Sequence, residues 1–96
     1  MNVLVAYDVS TEEKAGRRRL RQVAKACQNF GQRVQFSIFE CLVNEAQMER
    51  LRQQLLEIIE PSEDNLRIYF LKGERSQFLE AYGRDLHVDF QKPLII

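Results

Sequence analysis

The sequence predicts a single α+β domain of the ferredoxin-like kind, in which two helices pack on one face of an antiparallel sheet. The chain has 96 residues, which is room for one domain. Hydrophobic residues make up 45% of it, enough to build a core. Two amphipathic helical stretches alternate with β-rich runs, which predicts the order β-α-β-(β)-α-β followed by one or more C-terminal strands.

The first predicted strand covers residues 2–8 and is apolar on both of its sides. Alternate residues point to opposite sides: Val3, Val5 and Tyr7 to one, and Leu4, Ala6 and Asp8 to the other. Such a strand is typical of a sheet that is covered on both faces. Since the two helices cover only one face, we expect a second copy of the chain to cover the other.

The first helix is predicted to begin at Ser10, which forms a capping box with Glu13, and to end at Gly31. Its apolar residues share one stripe: Leu20, Val23, Ala24, Cys27 and Phe30. Its basic residues lie opposite: Lys14, Arg17, Arg18, Arg21 and Lys25. This basic face is either a surface for phosphates or simply a solvated helix face.

Residues 33–43 predict either one bent strand or a very tight hairpin, and both alternatives stay open. Asn44 and Gln47 form a second capping box, and Pro61 is expected to terminate the helix that follows. The inner face of that helix is predicted to carry Met48, Leu51, Leu55, Ile58 and Ile59. A strand is predicted over 66–71. Weaker apolar runs at 78–82, 88–90 and 94–96 are interpreted as short strands.

The composition of the chain argues against several classes of function. The chain has 14 basic and 14 acidic residues, which argues against a polycation that coats nucleic acid but leaves room for a local basic patch. Cys27 and Cys41 lack the spacing of a zinc site, and the single histidine, His87, has no serine or cysteine context that indicates a nucleophile pair. The chain shows no signal peptide and no membrane span, so a reduced, cytoplasmic protein is expected.

Asp8 is the polar residue that stands out, because it closes the first strand. It either has a functional role or hydrogen-bonds the following turn. A lone carboxylate binds Mg²⁺ poorly, but two copies of Asp8 brought together at a two-fold axis would repel each other, and a divalent cation would relieve the repulsion. Such a metal ion could activate water for attack on a phosphodiester.

Two aromatic residues, Phe36 and Phe39, are interleaved with Arg33 and Gln35. Aromatic rings among basic side chains are typical of platforms on which nucleic-acid bases stack. Packing in the core or in a dimer is the alternative for at least one of the two rings.

Four stretches resemble a CRISPR-associated family, the small non-integrase subunit of the spacer-acquisition complex. They are VLVAYDVS (3–10), GRRRLRQVAKAC (16–27), RVQFSIFEC (33–41) and LRIYFL (66–71). The resemblance runs from residue 2 to about residue 72. It implies a ferredoxin-like homodimer formed by one domain, 1–96, whose C-terminal region, about 74–96, supplies a strand to the partner.

The resemblance also implies a metal-dependent nuclease, an endoribonuclease or endonuclease, that acts on RNA or double-stranded DNA. Asp8 would be its catalytic residue and its ligand for Mg²⁺. Residues that the family implicates beside Asp8 correspond to Tyr7, Arg17, Arg19, Arg33 and Phe39. Arg17, Arg19 and Arg21 are interchangeable in this alignment, and Arg18 joins them as a nucleic-acid-binding candidate. Many members carry a second acid where this chain has Ser10.

The family's other implied role is structural: its dimer sits between integrase dimers and grips a DNA duplex during spacer integration. Three interpretations therefore remain. The protein is a metal-dependent phosphodiesterase, a DNA-binding scaffold, or a non-catalytic ferredoxin-like domain that binds a small molecule or another protein.

Overall fold

The computed structural model describes residues 1–73, Glu80 and Tyr82. The elements, in chain order, are β1 (Asn2–Asp8), α1 (Lys14–Gln28), β2 (Gly31–Gln35), β3 (Ile38–Leu42), α2 (Glu45–Ile58) and β4 (Asn65–Leu71). The four strands form one antiparallel sheet in the order β2-β3-β1-β4. This confirms the predicted α+β class and the predicted order of elements up to β4.

Both helices pack on one side of the sheet, which we call the helix side. On β1 this side carries Val3 and Val5, which are fully buried, and Tyr7, which is 4% exposed. The helices contribute further fully buried side chains to this core: Val23 and Cys27 from α1, and Leu51 and Leu55 from α2. The predicted apolar stripes of both helices are therefore confirmed.

The opposite side of the sheet, which we call the bare side, carries Leu4, Ala6 and Asp8 on β1. The register sets Leu4 between Glu40 of β3 and Tyr69 of β4. Tyr69 is 47% exposed. No helix of the described chain covers these residues, so the apolar side chains of Leu4 and Ala6 stay partly exposed.

Two predicted helix boundaries are wrong. The α1 helix begins at Lys14 rather than Ser10, with Glu13 at the N-cap and no side-chain cap, because the backbone N–H of Ser10 instead donates to Asp64 Oδ1 (3.2 Å). The helix ends at Gln28, and Gly31 begins β2 instead of capping the helix. A Cβ atom at Gly31 would lie 2.2 Å from the carbonyl oxygen of Glu40, so close contact with β3 requires glycine there.

Of the two alternatives for residues 33–43, the structure shows the tight hairpin. Phe36 and Ser37 alone connect β2 to β3, and a bulge shifts the register between Arg33 and Gln35. The backbone N–H of Tyr7 donates to the carbonyl oxygen of Ser37 (3.0 Å), so the turn is also tied to β1.

The second predicted capping box is confirmed. Asn44 Oδ1 accepts from the N–H of Gln47 (2.8 Å), and Gln47 Oε1 accepts from the N–H of Asn44 (2.9 Å). The α2 helix ends at Ile58, ahead of Pro61, and β4 starts one residue earlier than predicted. The strands predicted at 78–82, 88–90 and 94–96 lie outside the described residues, apart from Glu80 and Tyr82.

Candidate nucleic-acid interface and metal site

Asp8 lies exposed at the end of β1, on the bare side and opposite Asn65 of β4. Among the described residues, no three His, Cys, Asp or Glu side chains come close enough together to hold a metal ion. Within the described residues, the Asp8 carboxylate therefore belongs to no such cluster. Its chemistry fits Mg²⁺, which takes oxygen ligands and is often held by one or two carboxylates and substrate phosphates.

The loop that follows Asp8 is anchored by the carboxylate of Asp64, whose side chain is shielded from solvent. Asp64 accepts hydrogen bonds from the backbone N–H groups of Ser10 (3.2 Å) and Glu60 (2.8 Å), and from Nε (2.8 Å) and NH2 (3.2 Å) of Arg19. We call these four residues the Asp64 latch. The hydrogen bond from Arg19 is the main cause that lowers the pKa of Asp64, and the two backbone N–H groups act in the same direction.

Gly16 brings the same loop close to the start of α1. It is buried, and a Cβ atom there would lie 1.8 Å from the carbonyl oxygen of Ser10. Sequence reasoning missed both Gly16 and Asp64 as supports of the segment after Asp8. A glycine inside a helix is itself a signal of close packing, whereas Asp64 is hidden in an ordinary turn sequence.

The latch separates Arg19 from the other arginines of α1. Its guanidinium group is bound to Asp64 and lies 3.5 Å from Glu63, and its side chain is only 16% exposed. The expected nucleic-acid role of Arg19 stays a prediction, and the structure gives this residue a structural contact instead.

The basic face of α1 is exposed along its length: Lys14, Arg17, Arg18, Arg21 and Lys25. Arg17 donates to the carbonyl oxygen of Thr11 (3.1 Å). Within the described part of the chain, no ion pair joins any of the five cations to a carboxylate. The positive charge of this face is therefore available to an anionic partner.

Tyr7, Arg33 and Phe39 form a cluster on the helix side. The rings of Tyr7 and Phe39 stack with their centroids 6.3 Å apart, and the guanidinium carbon of Arg33 lies 5.2 Å from the centroid of the Phe39 ring. Burial raises the pKa of Tyr7, and Arg33 opposes this by hydrogen bonding and by its charge. The cluster lies on the side of the sheet away from Asp8.

Burial decides between the alternatives for the two phenylalanines. Phe39 is fully buried and belongs to the core, so it offers no face to a base. Phe36 is 92% exposed at the hairpin turn. Tyr7 is also a core residue, and its hydroxyl donates to the carbonyl oxygen of Phe36 (3.3 Å). Tyr7 and Phe39 thus support the fold around Arg33 and Phe36, and their accessory role in catalysis stays a prediction.

The two cysteines are free thiols in the core. Burial raises the pKa of Cys27 to about 12 and that of Cys41 to about 11. Since the thiolate is the nucleophilic form, neither side chain is suited to covalent catalysis near neutral pH. His87 lies outside the described residues.

Comparison with known proteins identifies the family. The family model described as CRISPR associated protein Cas2 matches residues 1–78. This chain belongs to the Cas2 family. The resemblance to the small spacer-acquisition subunit, drawn from four short stretches, is thereby confirmed.

Two proteins similar to this Cas2 chain match it over all or nearly all of its length. It is 51% identical over 96 residues, all of both chains, to CRISPR-associated endoribonuclease Cas2 1 of Moorella thermoacetica. It is 46% identical over 95 residues, 99% of each chain, to CRISPR-associated endonuclease Cas2 of Halalkalibacterium halodurans.

The crystal structure of Streptococcus pyogenes Cas2 resembles this chain with a TM-score of 0.78 and 47% sequence identity, over 86% of this chain and 100% of that one. The ferredoxin-like fold is therefore confirmed for this Cas2 chain. None of the helices within the described residues combines the length and apolar character needed to cross a membrane.

Proposed function

We propose that this Cas2 protein serves CRISPR adaptation as a homodimer that bridges integrase subunits and holds double-stranded DNA during spacer integration. The observation that carries the proposal is the basic face of α1, whose five cations are exposed and have no carboxylate partner among the described residues. Cations that neutralise DNA phosphates release condensed counterions, which favours binding at low salt. The chain is neutral overall, so this attraction is local.

The homodimer is supported by the bare side of the sheet. It exposes apolar groups, among them Leu42 at 52% and Tyr69 at 47%. Exposed apolar side chains on an uncovered sheet face favour an interface even beside charged residues such as Glu40 and Arg67, and a second copy offers the same surface. The protein would act in the cytoplasm, where Cys27 and Cys41 stay reduced.

A second candidate function is a Mg²⁺-dependent phosphodiesterase that acts on RNA or double-stranded DNA. It is favoured by the exposed Asp8, which lies on the bare side where two joined copies would each present a carboxylate. Relatives carry the names endoribonuclease and endonuclease. Mg²⁺ held there would supply an activated water for phosphodiester attack. Asp8 would hold the ion, the Asp64 latch would hold the loop behind Asp8, and the basic face would orient the phosphates.

The scaffold role is tested by the double charge reversal Arg17→Glu/Arg18→Glu on the basic face. The matched control is Arg50→Glu/Arg52→Glu on α2, which changes the net charge equally. We expect the first variant to bind duplex DNA at least tenfold more weakly at about 0.1 M salt and to show a salt dependence flatter by about two units of slope. The control keeps the wild-type affinity within about threefold. An unchanged affinity and salt slope in the first variant would contradict the proposal.

The nuclease role is tested in the same assay with Asp8→Asn, which keeps the shape of the side chain and removes its charge. We expect cleavage of RNA and duplex DNA in Mg²⁺ to be lost while DNA binding and thermal stability stay at wild-type values. Glu12→Gln, an exposed acid of the following loop, is the control and should cleave normally. Cleavage by Asp8→Asn at the wild-type rate would refute the nuclease role and leave the scaffold role standing.

A further inference from the structure

An open groove of about 490 Å³ runs along α1 beside the β2–β3 hairpin. Its lining includes Arg21 and Lys25 of α1, Arg33 of β2, the turn residue Phe36, and Tyr7. Sites for small molecules commonly measure roughly 300 to 1,000 Å³. The groove lies on the helix side of the sheet, so it is separate from Asp8 on the bare side.

The charge of the groove favours an anion. Three cations line it, no carboxylate does, and no ion pair joins Arg21, Lys25 or Arg33 to an acid within residues 1–73. Like charges gathered in a concave site repel one another, and a bound phosphate relieves the repulsion. Arg33 is held in place by its contact with the Phe39 ring, so little side-chain freedom is lost when it binds.

Phe36 gives the groove a planar apolar face. Its ring is 92% exposed, yet the turn that carries it is fixed to β1, because Tyr7 donates to the carbonyl oxygens of both Phe36 and Ser37. A ring so exposed contributes little to the core. An exposed aromatic ring on an anchored turn next to cations is the arrangement on which unpaired nucleic-acid bases stack.

We propose that this groove binds one nucleoside phosphate, with the base against Phe36 and the phosphate among Arg21, Lys25 and Arg33. The ligand is a free nucleoside monophosphate or an unpaired nucleotide of a strand. A base inside a duplex already stacks on its neighbours, so a duplex interior does not fit. The inference rests on the proposed nucleic-acid binding, since Arg21 and Lys25 serve both, whereas Phe36 belongs to the groove alone.

The test is a titration of the full-length protein, followed by backbone NMR shifts and by calorimetry. The probes are AMP, inorganic phosphate, a short 5′-phosphorylated single-stranded DNA and a blunt DNA duplex. We expect AMP and the single strand to shift the signals of Lys25, Arg33 and Phe36. Whichever of the two binds more tightly at equal concentration identifies the source of the nucleotide.

Phe36 variants isolate the stacking contact. Phe36→Ala should weaken the binding of AMP and of single-stranded DNA about tenfold, because one base–ring stack is lost. Phe36→Tyr keeps a ring and should bind within about twofold of wild type. Leu56→Ala removes an exposed apolar side chain of α2, outside the groove, and should change nothing. Phosphate binding and duplex affinity should be the same in all of these variants.

The inference is overturned if Phe36→Ala binds AMP and single-stranded DNA as tightly as wild type, or if neither probe binds or shifts the groove signals. Failure of the proposed function would be recognised by a different measurement: Arg17→Glu/Arg18→Glu would bind duplex DNA with unchanged affinity, whatever the Phe36 variants do. The two results are therefore separable in one set of proteins.

Discussion

Gly16 and Arg19 show how single residues support the segment behind Asp8. Gly16 lets the first turn of α1 touch the carbonyl oxygen of Ser10, and Arg19 binds Asp64 from 45 residues away. In the sequence, Arg19 is one of three consecutive arginines and nothing distinguishes it from its neighbours. Its partner could not be predicted, because the contact depends on how the turn before β4 meets the start of α1.

A substitution at Gly16 measures this contact. Alanine in a helix is usually better than glycine by about 1 kcal/mol. At Gly16 the added Cβ would instead press on the Ser10 carbonyl oxygen, and the displaced loop costs about 1–3 kcal/mol. We therefore expect Gly16→Ala to lower the free energy of unfolding, as measured by denaturant titration.

The neighbouring exposed position provides the control for Gly16. Ala15→Gly lowers the helix propensity but adds no atom that could press on the loop. It should lower the free energy of unfolding by only about 1 kcal/mol. A Gly16→Ala protein that is as stable as wild type would show that the loop after Asp8 moves aside freely.

At the scale of elements, α1 and α2 show when a capping motif in the sequence correctly predicts where a helix begins. Asn44 and Gln47 cap α2 as predicted, because within residues 1–73 no other side chain bonds to the groups that form the capping box. The same signal at Ser10 and Glu13 fails, because Asp64 captures the Ser10 amide and the chain turns into α1 only at Lys14. A capping motif therefore predicts a helix start only where no distant side chain takes its backbone groups.

The Asp64 latch makes the stability of the β1–α1 loop depend on pH. The pKa of Asp64 is lowered in the folded protein, so its contribution is present above the ordinary aspartate pKa of about 3.9. This contribution to the free energy of unfolding is lost as the pH falls from the ordinary aspartate pKa through the lower pKa of Asp64 in the folded protein. Asp64→Asn should therefore be less stable than wild type at pH 7, and the difference should shrink below pH of about 4.

Glu63 provides the matched control for the latch. It is also an acid near Arg19, but the distance is 3.5 Å and its side chain is 49% exposed. Glu63→Gln should change the free energy of unfolding by less than about 0.5 kcal/mol at either pH, as is usual for a surface pair. Thermal melts at pH 7 and pH 3.5 make the comparison, and an equal effect of both variants would contradict the latch.

For the whole molecule, the sequence predicted the fold class well because two regularities agreed: the continuous apolar run of β1 and the helical spacing of apolar residues in α1 and α2. The sequence does not distinguish a hairpin from a bent strand at residues 33–43, because a β-bulge between Arg33 and Gln35 breaks the alternation that would reveal a turn. In the candidate site, Asp8 and the basic face could be predicted from residue type and spacing. The groove could not be predicted, because it is formed by α1 and the hairpin together.

The bare side of the sheet carries the proposed dimer, and Leu4 lies on its central strand. A carboxylate placed there would be buried in the dimer beside Glu40, the cross-strand neighbour of Leu4, and the two like charges would repel each other. We expect Leu4→Glu to weaken self-association at least about 100-fold in sedimentation equilibrium. Leu56→Glu, at an exposed position of α2, should associate like wild type. A wild-type chain that is monomeric at micromolar concentration would contradict the dimer.

Because the groove and the bare side lie on opposite sides of the sheet, nucleotide binding and dimerisation use different surfaces. A nucleotide in the groove touches α1 and the hairpin, whereas a second copy touches residues such as Leu4 and Tyr69 across the sheet. Coupling between two binding events requires a change of state that alters both affinities. The two surfaces share β1, through Tyr7 and Leu4, but their ligands contact different side chains. Saturating the protein with nucleotide should therefore leave its monomer–dimer equilibrium constant unchanged, because independent binding events enter the binding polynomial as separate factors.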